Sequence, residues 1–105
     1  VIKYRVEIDE TRTVRWYKWG TNKRHRENDS AVEYIDGGKV WWFNGKRHRK
    51  NGPAVEYASG RKEWVINGKL HREDGPAIEK ANGDKEWWFD GKKLTKKQWK
   101  AKVNS

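Results

Sequence analysis

The stretch Lys62-Glu63-Trp64-Val65-Ile66-Asn67-Gly68-Lys69-Leu70-His71-Arg72-Glu73-Asp74-Gly75-Pro76-Ala77-Ile78-Glu79 has a copy 23 residues earlier in the chain. Trp41, Asn44, Gly45, Lys46, His48, Arg49, Gly52, Pro53, Ala54 and Glu56 fall under Trp64, Asn67, Gly68, Lys69, His71, Arg72, Gly75, Pro76, Ala77 and Glu79. A fixed period of this length describes a stack of small like units, none able to bury its own apolar face alone. Fold and function are therefore properties of the array.

The 105 residues read as one repeat domain, 1–105. Tyr4-Arg5-Val6-Glu7-Ile8-Asp9 alternates as a strand does and matches Val32-Glu33-Tyr34 and Val55-Glu56-Tyr57. Residues 1–12 are thus an N-terminal half repeat, followed by repeats at 13–38, 39–61 and 62–84 and a last strand at 85–91. In the first repeat Trp16 stands where Trp41 stands, two extra residues precede His25, and Ser30 replaces the proline. The loop Lys18-Trp19-Gly20-Thr21-Asn22-Lys23 is where the array departs from its pattern, and loops of that kind often hold function.

Each unit is expected to hold two strands, 54–58 and 63–66, joined by a turn at Ser59-Gly60-Arg61. Asn67-Gly68 then opens a longer loop through His71-Arg72 that closes at Gly75-Pro76, where proline can only begin a strand. The sum is an all-β fold: an antiparallel meander of about eight strands, stacked as β-hairpin repeats in a single elongated, twisted sheet. At the end the His-Arg loop gives way to Leu94-Thr95-Lys96-Lys97-Gln98-Trp99-Lys100-Ala101-Lys102-Val103. Thr95 and Gln98 have capping-box spacing and Leu94 and Trp99 that of a hydrophobic staple, which predicts a short capping helix over 94–103.

With 38% charged residues the chain would be a candidate for disorder were it not for eight Trp, four Tyr and two Phe placed periodically. Their burial favours folding at roughly 25 cal/mol per Å² removed from water. Without cysteine there is no disulfide framework and no thiolate metal site. No apolar run approaches a membrane span and no signal-peptide core precedes the first charges, so a soluble, cytoplasmic protein is expected. The net charge of +10 selects for anionic partners.

The 23-residue period, the Tyr57-Ala58-Ser59-Gly60 turn and the Asn67-Gly68-Lys69-Leu70-His71 loop resemble MORN repeats, β-hairpin units stacked into a twisted sheet. The string Trp-x-x-Asn-Gly-Lys-x-His-Arg-x-x-Gly-Pro-Ala-x-Glu is similar to tandem repeats of small phage and large-virus proteins, over residues 13–91. MORN units carry Gly after the His and before the Trp, where this chain has Arg72 and Lys62-Glu63. The resemblance implies the fold and a binding module, placed in the host cytoplasm if viral. It transfers neither the lipid nor the protein partners of MORN proteins.

Trp41, Trp64 and Trp87, with Phe43, Ile66 and Phe89 two residues on, fall on one face and are read with Trp16 as a structural ladder. Trp42 and Trp88 point to the other face and, with Trp19, are the candidates for external contact. His25, His48 and His71 share the pattern Lys-x-His-Arg; stacked units set neighbours about 10 Å apart, too far for one metal ion. They are read as structural, each hydrogen-bonding the loop of the next unit. No group of acid, base and nucleophile supports catalysis, which leaves an enzyme as a remote alternative; Glu73-Asp74 is read as solvated charge, and no cofactor or metal is expected.

The remaining signal is basic. Arg24, Arg26, Arg47, Arg49 and Arg72, with Lys23 and Lys50, lie on the same edge loops and would form a stripe. Lys92, Lys93, Lys96, Lys97, Lys100 and Lys102 form a second cluster. Interleaved with Trp, such a surface fits either a protein or nucleoprotein complex with an acidic face, whose occupation would suit an inhibitor or adaptor, or single-stranded nucleic acid or a nucleotide. Open sheet edges add self-association as a further expectation.

Overall fold

The computed structural model describes residues 2–105. Strands β1 (Tyr4–Ile8) and β2 (Val14–Lys18) form the first hairpin, in register from Tyr4 opposite Lys18 to Ile8 opposite Val14. Asp9 closes its turn, its carboxylate accepting from the Thr11 and Thr13 backbone N–H groups and from Arg15. The Thr11 hydroxyl, then Arg15, hold that carboxyl well below the usual range.

The next unit contributes β3 (Val32–Glu33), β4 (Lys39–Val40), β5 (Trp42–Phe43) and β6 (Lys46–Arg47). After it come β7 (Val55–Glu56), β8 (Lys62–Glu63), β9 (Val65–Ile66), β10 (Lys69–Leu70), β11 (Ile78–Glu79), β12 (Lys85–Phe89) and β13 (Lys92–Leu94). A nine-stranded antiparallel sheet runs β1-β2-β3-β4-β7-β8-β11-β12-β13, and the described body measures 43 × 29 × 18 Å. The meander expected from the repeats is present, with one difference inside the unit. Asn67-Gly68 does not open a loop; it is the tip of a second hairpin, β9–β10, as Asn44-Gly45 is of β5–β6. The reason is backbone sign: Asn44 and Gly45 have φ of 51° and 80°, Asn67 and Gly68 49° and 82°, the paired positive values a type I′ turn demands. Each hairpin is tied to the previous unit, the N–H groups of Gly45, Gly68 and Gly91 donating to the carbonyls of Arg24, Arg47 and Leu70.

Register decides the two faces. Across neighbouring strands Val32 lies opposite Val40 and Val40 opposite Val55, a buried row against which Trp42 packs. The next residues form Glu33, Lys39, Glu56, Lys62, Glu79 and Lys85, each directly opposite the one before, so charge sign alternates across the sheet. Opposite-charge pairs of this kind are worth about 0.2–1 kcal/mol each. A one-residue slip would exchange the valine row for the charged one, so the register has a single solution.

Ala31, Ala54 and Ala77 are fully buried where the chain re-enters the sheet, their carbonyls accepting from the backbone N–H of Trp16, Trp41 and Trp64. Helix α1 (Lys96–Val103) closes the far end with both halves of the capping box made, Thr95 to Gln98 and back. Its Trp99 is the buried residue of the helix. No helix among the described residues is long and apolar enough to cross a membrane.

Candidate functional site

The His-Arg loops leave the sheet after β6 and β10 and return at Pro53 and Pro76. In each, the arginine folds back onto its own unit. The Arg72 guanidinium lies 3.8 Å from the Trp64 ring centre and donates to the Pro76 carbonyl, Glu79 and Asp74. Arg49 lies 3.8 Å over Trp41 and donates to the Pro53 carbonyl and Glu56. Arg26 lies 4.0 Å over Trp16, donates to the Ser30 carbonyl and sits near Glu33 and Asp29. The glycine before the proline belongs to this clamp, because a Cβ on Gly75 would fall 2.8 Å from the Arg72 guanidinium carbon. Trp16, Trp41 and Trp64 are accordingly each covered by the arginine of their own unit. No ring contact links Trp16, Trp41 and Trp64 among the described residues, and Trp87, whose unit lacks the arginine, meets Trp99 instead.

The histidines couple one unit to the next. Nδ1 of His25, His48 and His71 accepts from the backbone N–H of Asn44, Asn67 and Asp90, the first residue of the following hairpin tip, at 2.8, 3.0 and 2.9 Å. His25 and His71 also lie 4.5 and 4.6 Å from the rings of Phe43 and Phe89. An acceptor Nδ1 requires the neutral ring with its proton on Nε2. Burial lowers the pKa of His25, opposed by Glu27 and reinforced by Lys18, and lowers that of His48, reinforced by Lys50. A histidine whose native value is depressed takes up its proton more readily when unfolded. Its stabilisation is complete above the ordinary imidazole value of about 6.5 and is lost as pH falls from there to the lowered native value. The unfolding midpoint is expected to drop between pH 7.5 and 5.5, and a midpoint flat over that interval in thermal melts would exclude the histidine bonds as a stabilising link.

Successive loops wall two clefts on this face. One, of about 600 Å³, lies between the Arg26–Asn28 and His48–Asn51 segments over Trp41 and Phe43. The other, of about 890 Å³, lies between the 48–52 and 71–74 segments over Trp64 and Ile66. Lys50 walls both and has no carboxylate within ion-pair distance among the described residues. Sequence periodicity placed Phe43 and Ile66 in the structural row; their place on a cleft floor follows from the loop path. Among the described residues no three His, Cys, Asp or Glu side chains gather as metal ligands would.

The other arginines stand apart. Arg24 lies 4.2 Å and Arg47 5.6 Å from the ring centre of Trp42, both are exposed, and neither meets a carboxylate among the described residues. Trp42 is half-buried between them and the valine row. Trp88 is half-buried and donates through Nε1 to Glu86, which also meets Lys80 and Lys93. Trp19 is 61% exposed on a turn held by Arg5, which donates to the Thr21 carbonyl and Asn22.

No family model, curated protein or solved structure matches the chain. The predicted contact residues therefore divide by geometry alone. Arg26, Arg49 and Arg72 are engaged within their own loops, Trp88 is tied to Glu86, and Arg24, Arg47, Trp42 and Trp19 face solvent at least in part.

Proposed function

We propose that this chain is a non-enzymatic binding module that occupies an acidic protein or nucleoprotein through a basic, tryptophan-bearing surface. The observation that carries this reading is the group Arg24, Trp42 and Arg47, two exposed guanidinium groups over one ring with no acidic partner of their own among the described residues. Arginines in the clamps have their charge offset by Glu33, Glu56 and Glu79, whereas these two are free to meet a carboxylate or phosphate. Arginine and tryptophan are also the preferred anchors of protein interfaces. The surplus of +10 gives the encounter its direction, and the likeness to viral repeat proteins fits a module that blocks a host factor in the host cytoplasm. Single-stranded nucleic acid is the second reading, favoured by the same stacked cations and ring.

Fluorescence anisotropy of labelled poly-glutamate and of a labelled single-stranded oligothymidine, each at 50 and 200 mM salt, separates the two readings. Poly-glutamate is expected to bind at low salt, and Arg24→Glu combined with Arg47→Glu to weaken it about tenfold, as loss of two interfacial charges does. Binding of the oligonucleotide alone, with affinity falling linearly in log salt, would establish the second reading in its place. Binding of neither probe at low salt would dispose of both.

A further inference from the structure

The last unit shows what fits between these loops. The next cleft in the series would have Trp87 and Phe89 as floor and the 71–74 loop as wall, and it is filled by α1. The Trp99 ring centre lies 4.6 Å from that of Trp87, Lys102 stands 5.9 Å over Phe89, and the Trp99 indole N–H donates to the Arg72 carbonyl at 2.7 Å. Trp99 is only 7% exposed there. By the repeat, Trp87 and Phe89 correspond to Trp64 and Ile66 and to Trp41 and Phe43, and the Arg72 carbonyl corresponds to those of Arg49 and Arg26. Those two carbonyls accept no hydrogen bond among the described residues. In each open cleft the floor tryptophan is already covered by its own arginine, so what remains open is Phe43 or Ile66 beside it and the carbonyl to which an indole donates in the filled cleft.

Charge selects the segment that carries the ring. In the open clefts Asp74 pairs with Arg72, whereas Glu73 accepts from the neutral His71 and Glu27 lies 3.8 Å from the neutral His25, so both glutamates keep their charge. Lys50, at the repeat position of Glu73, is the one cation lining these clefts that has no carboxylate partner among the described residues. We propose that each open cleft receives a tryptophan side chain from an acidic segment of the partner, its indole N–H on the Arg49 or Arg26 carbonyl and its carboxylates toward Lys50. Arg49 already covers one face of Trp41 and Arg72 one face of Trp64, so the incoming ring rests on the remaining floor beside Phe43 in the smaller cleft and beside Ile66 in the larger. This rests on the reading of the chain as a binder of acidic protein and adds a second contact to it, since Arg24, Trp42 and Arg47 line neither cleft. A peptide is favoured over a nucleobase because the occupant of the filled cleft is an indole on a helix.

The test uses the full chain and a fluorescein-labelled peptide with the sequence of residues 94–105 carrying Lys96→Glu, Lys97→Glu, Lys100→Glu and Lys102→Glu. A second peptide adds Trp99→Ala. The first peptide is expected to bind, the second to bind roughly thirtyfold more weakly, as truncation of an anchoring aromatic does. Lys50→Glu in the chain should weaken the first peptide about tenfold, with an unchanged circular dichroism spectrum. Because Lys50 walls the open clefts and not the one filled by α1, this variant also separates true occupancy from displacement of the chain's own helix. Equal binding of the two peptides, or indifference to Lys50→Glu, would overturn the cleft proposal while leaving recognition of acidic surfaces standing. Failure of both peptides while poly-glutamate binds has the same meaning; failure of all three removes both readings. Adenosine monophosphate displacing the tryptophan peptide at lower concentration than the unlabelled peptide itself would assign the clefts to a nucleobase and overturn the peptide as occupant.

Discussion

Trp99→Ala is expected to lower the unfolding free energy by about 3–5 kcal/mol, the range for deleting a large buried aromatic. For a domain whose total stability is about 5–15 kcal/mol, that takes the protein to the edge of unfolding. The loss has two parts that a second variant separates. Trp99 covers Trp87, which has no arginine to cover it, and its indole N–H satisfies the Arg72 carbonyl. Trp99→Phe keeps most of the ring area and removes the donor, so about 1–3 kcal/mol should be lost, the cost of an unsatisfied buried acceptor. Lys97→Ala, at an exposed position of the same helix, should stay within about 0.5 kcal/mol. Urea unfolding followed by tryptophan fluorescence measures all three. If Trp99→Ala and Lys97→Ala unfolded at the same denaturant concentration, α1 would not be the lid described above.

Arg72→Ala is expected to cost about 2–4 kcal/mol, an unusual amount for a charged residue near the surface. Most of it does not come from the ion pair, which is partly open to solvent and therefore discounted. It comes from the stranded Pro76 carbonyl, at about 1–3 kcal/mol, and from the uncovered Trp64 ring, at about 0.5–2 kcal/mol. Arg72→Lys should restore less than half, because an ammonium cannot lie flat on the indole while donating sideways to a carbonyl and two carboxylates. Thermal melts of the two variants decide the point. An Ala variant that melts with the parent would return Arg72 to the partner-facing set in which its charge alone would place it.

These two side chains perform the same task in different units. A repeat that ends in a His-Arg loop covers its tryptophan with a guanidinium from its own loop, and the unit without the loop covers it with a tryptophan from α1. Histidine then ties each loop to the next hairpin tip. Since each unit contacts chiefly its neighbours, the cost of any one substitution should fall on that unit and the interfaces it makes.

Much of this was legible in the residues. The period of 23 placed Trp41, Trp64 and Trp87 in equivalent settings, and Thr95 with Gln98 marked the start of a helix that begins at Lys96. Strands of two residues were less visible, because alternation needs more length than that to declare itself. The Asn-Gly pairs signalled the second hairpin through their tolerance of positive φ, but the expected long loop hid it.

The roles of the arginines lay beyond reach of any pattern. Arg47 and Arg49 are two residues apart, a spacing that would put them on the same face of a continuing strand. The strand stops at Arg47, the chain turns away at His48, and the two guanidinium groups end on different tryptophans, Arg47 over Trp42 and Arg49 over Trp41. Composition and period settled that like units would stack and that the surface would be basic, since both depend only on residue type and spacing. Which cations are consumed internally and which remain for a partner was decided by the return path of each loop to its proline, a long-range closure that no local run of residues encodes.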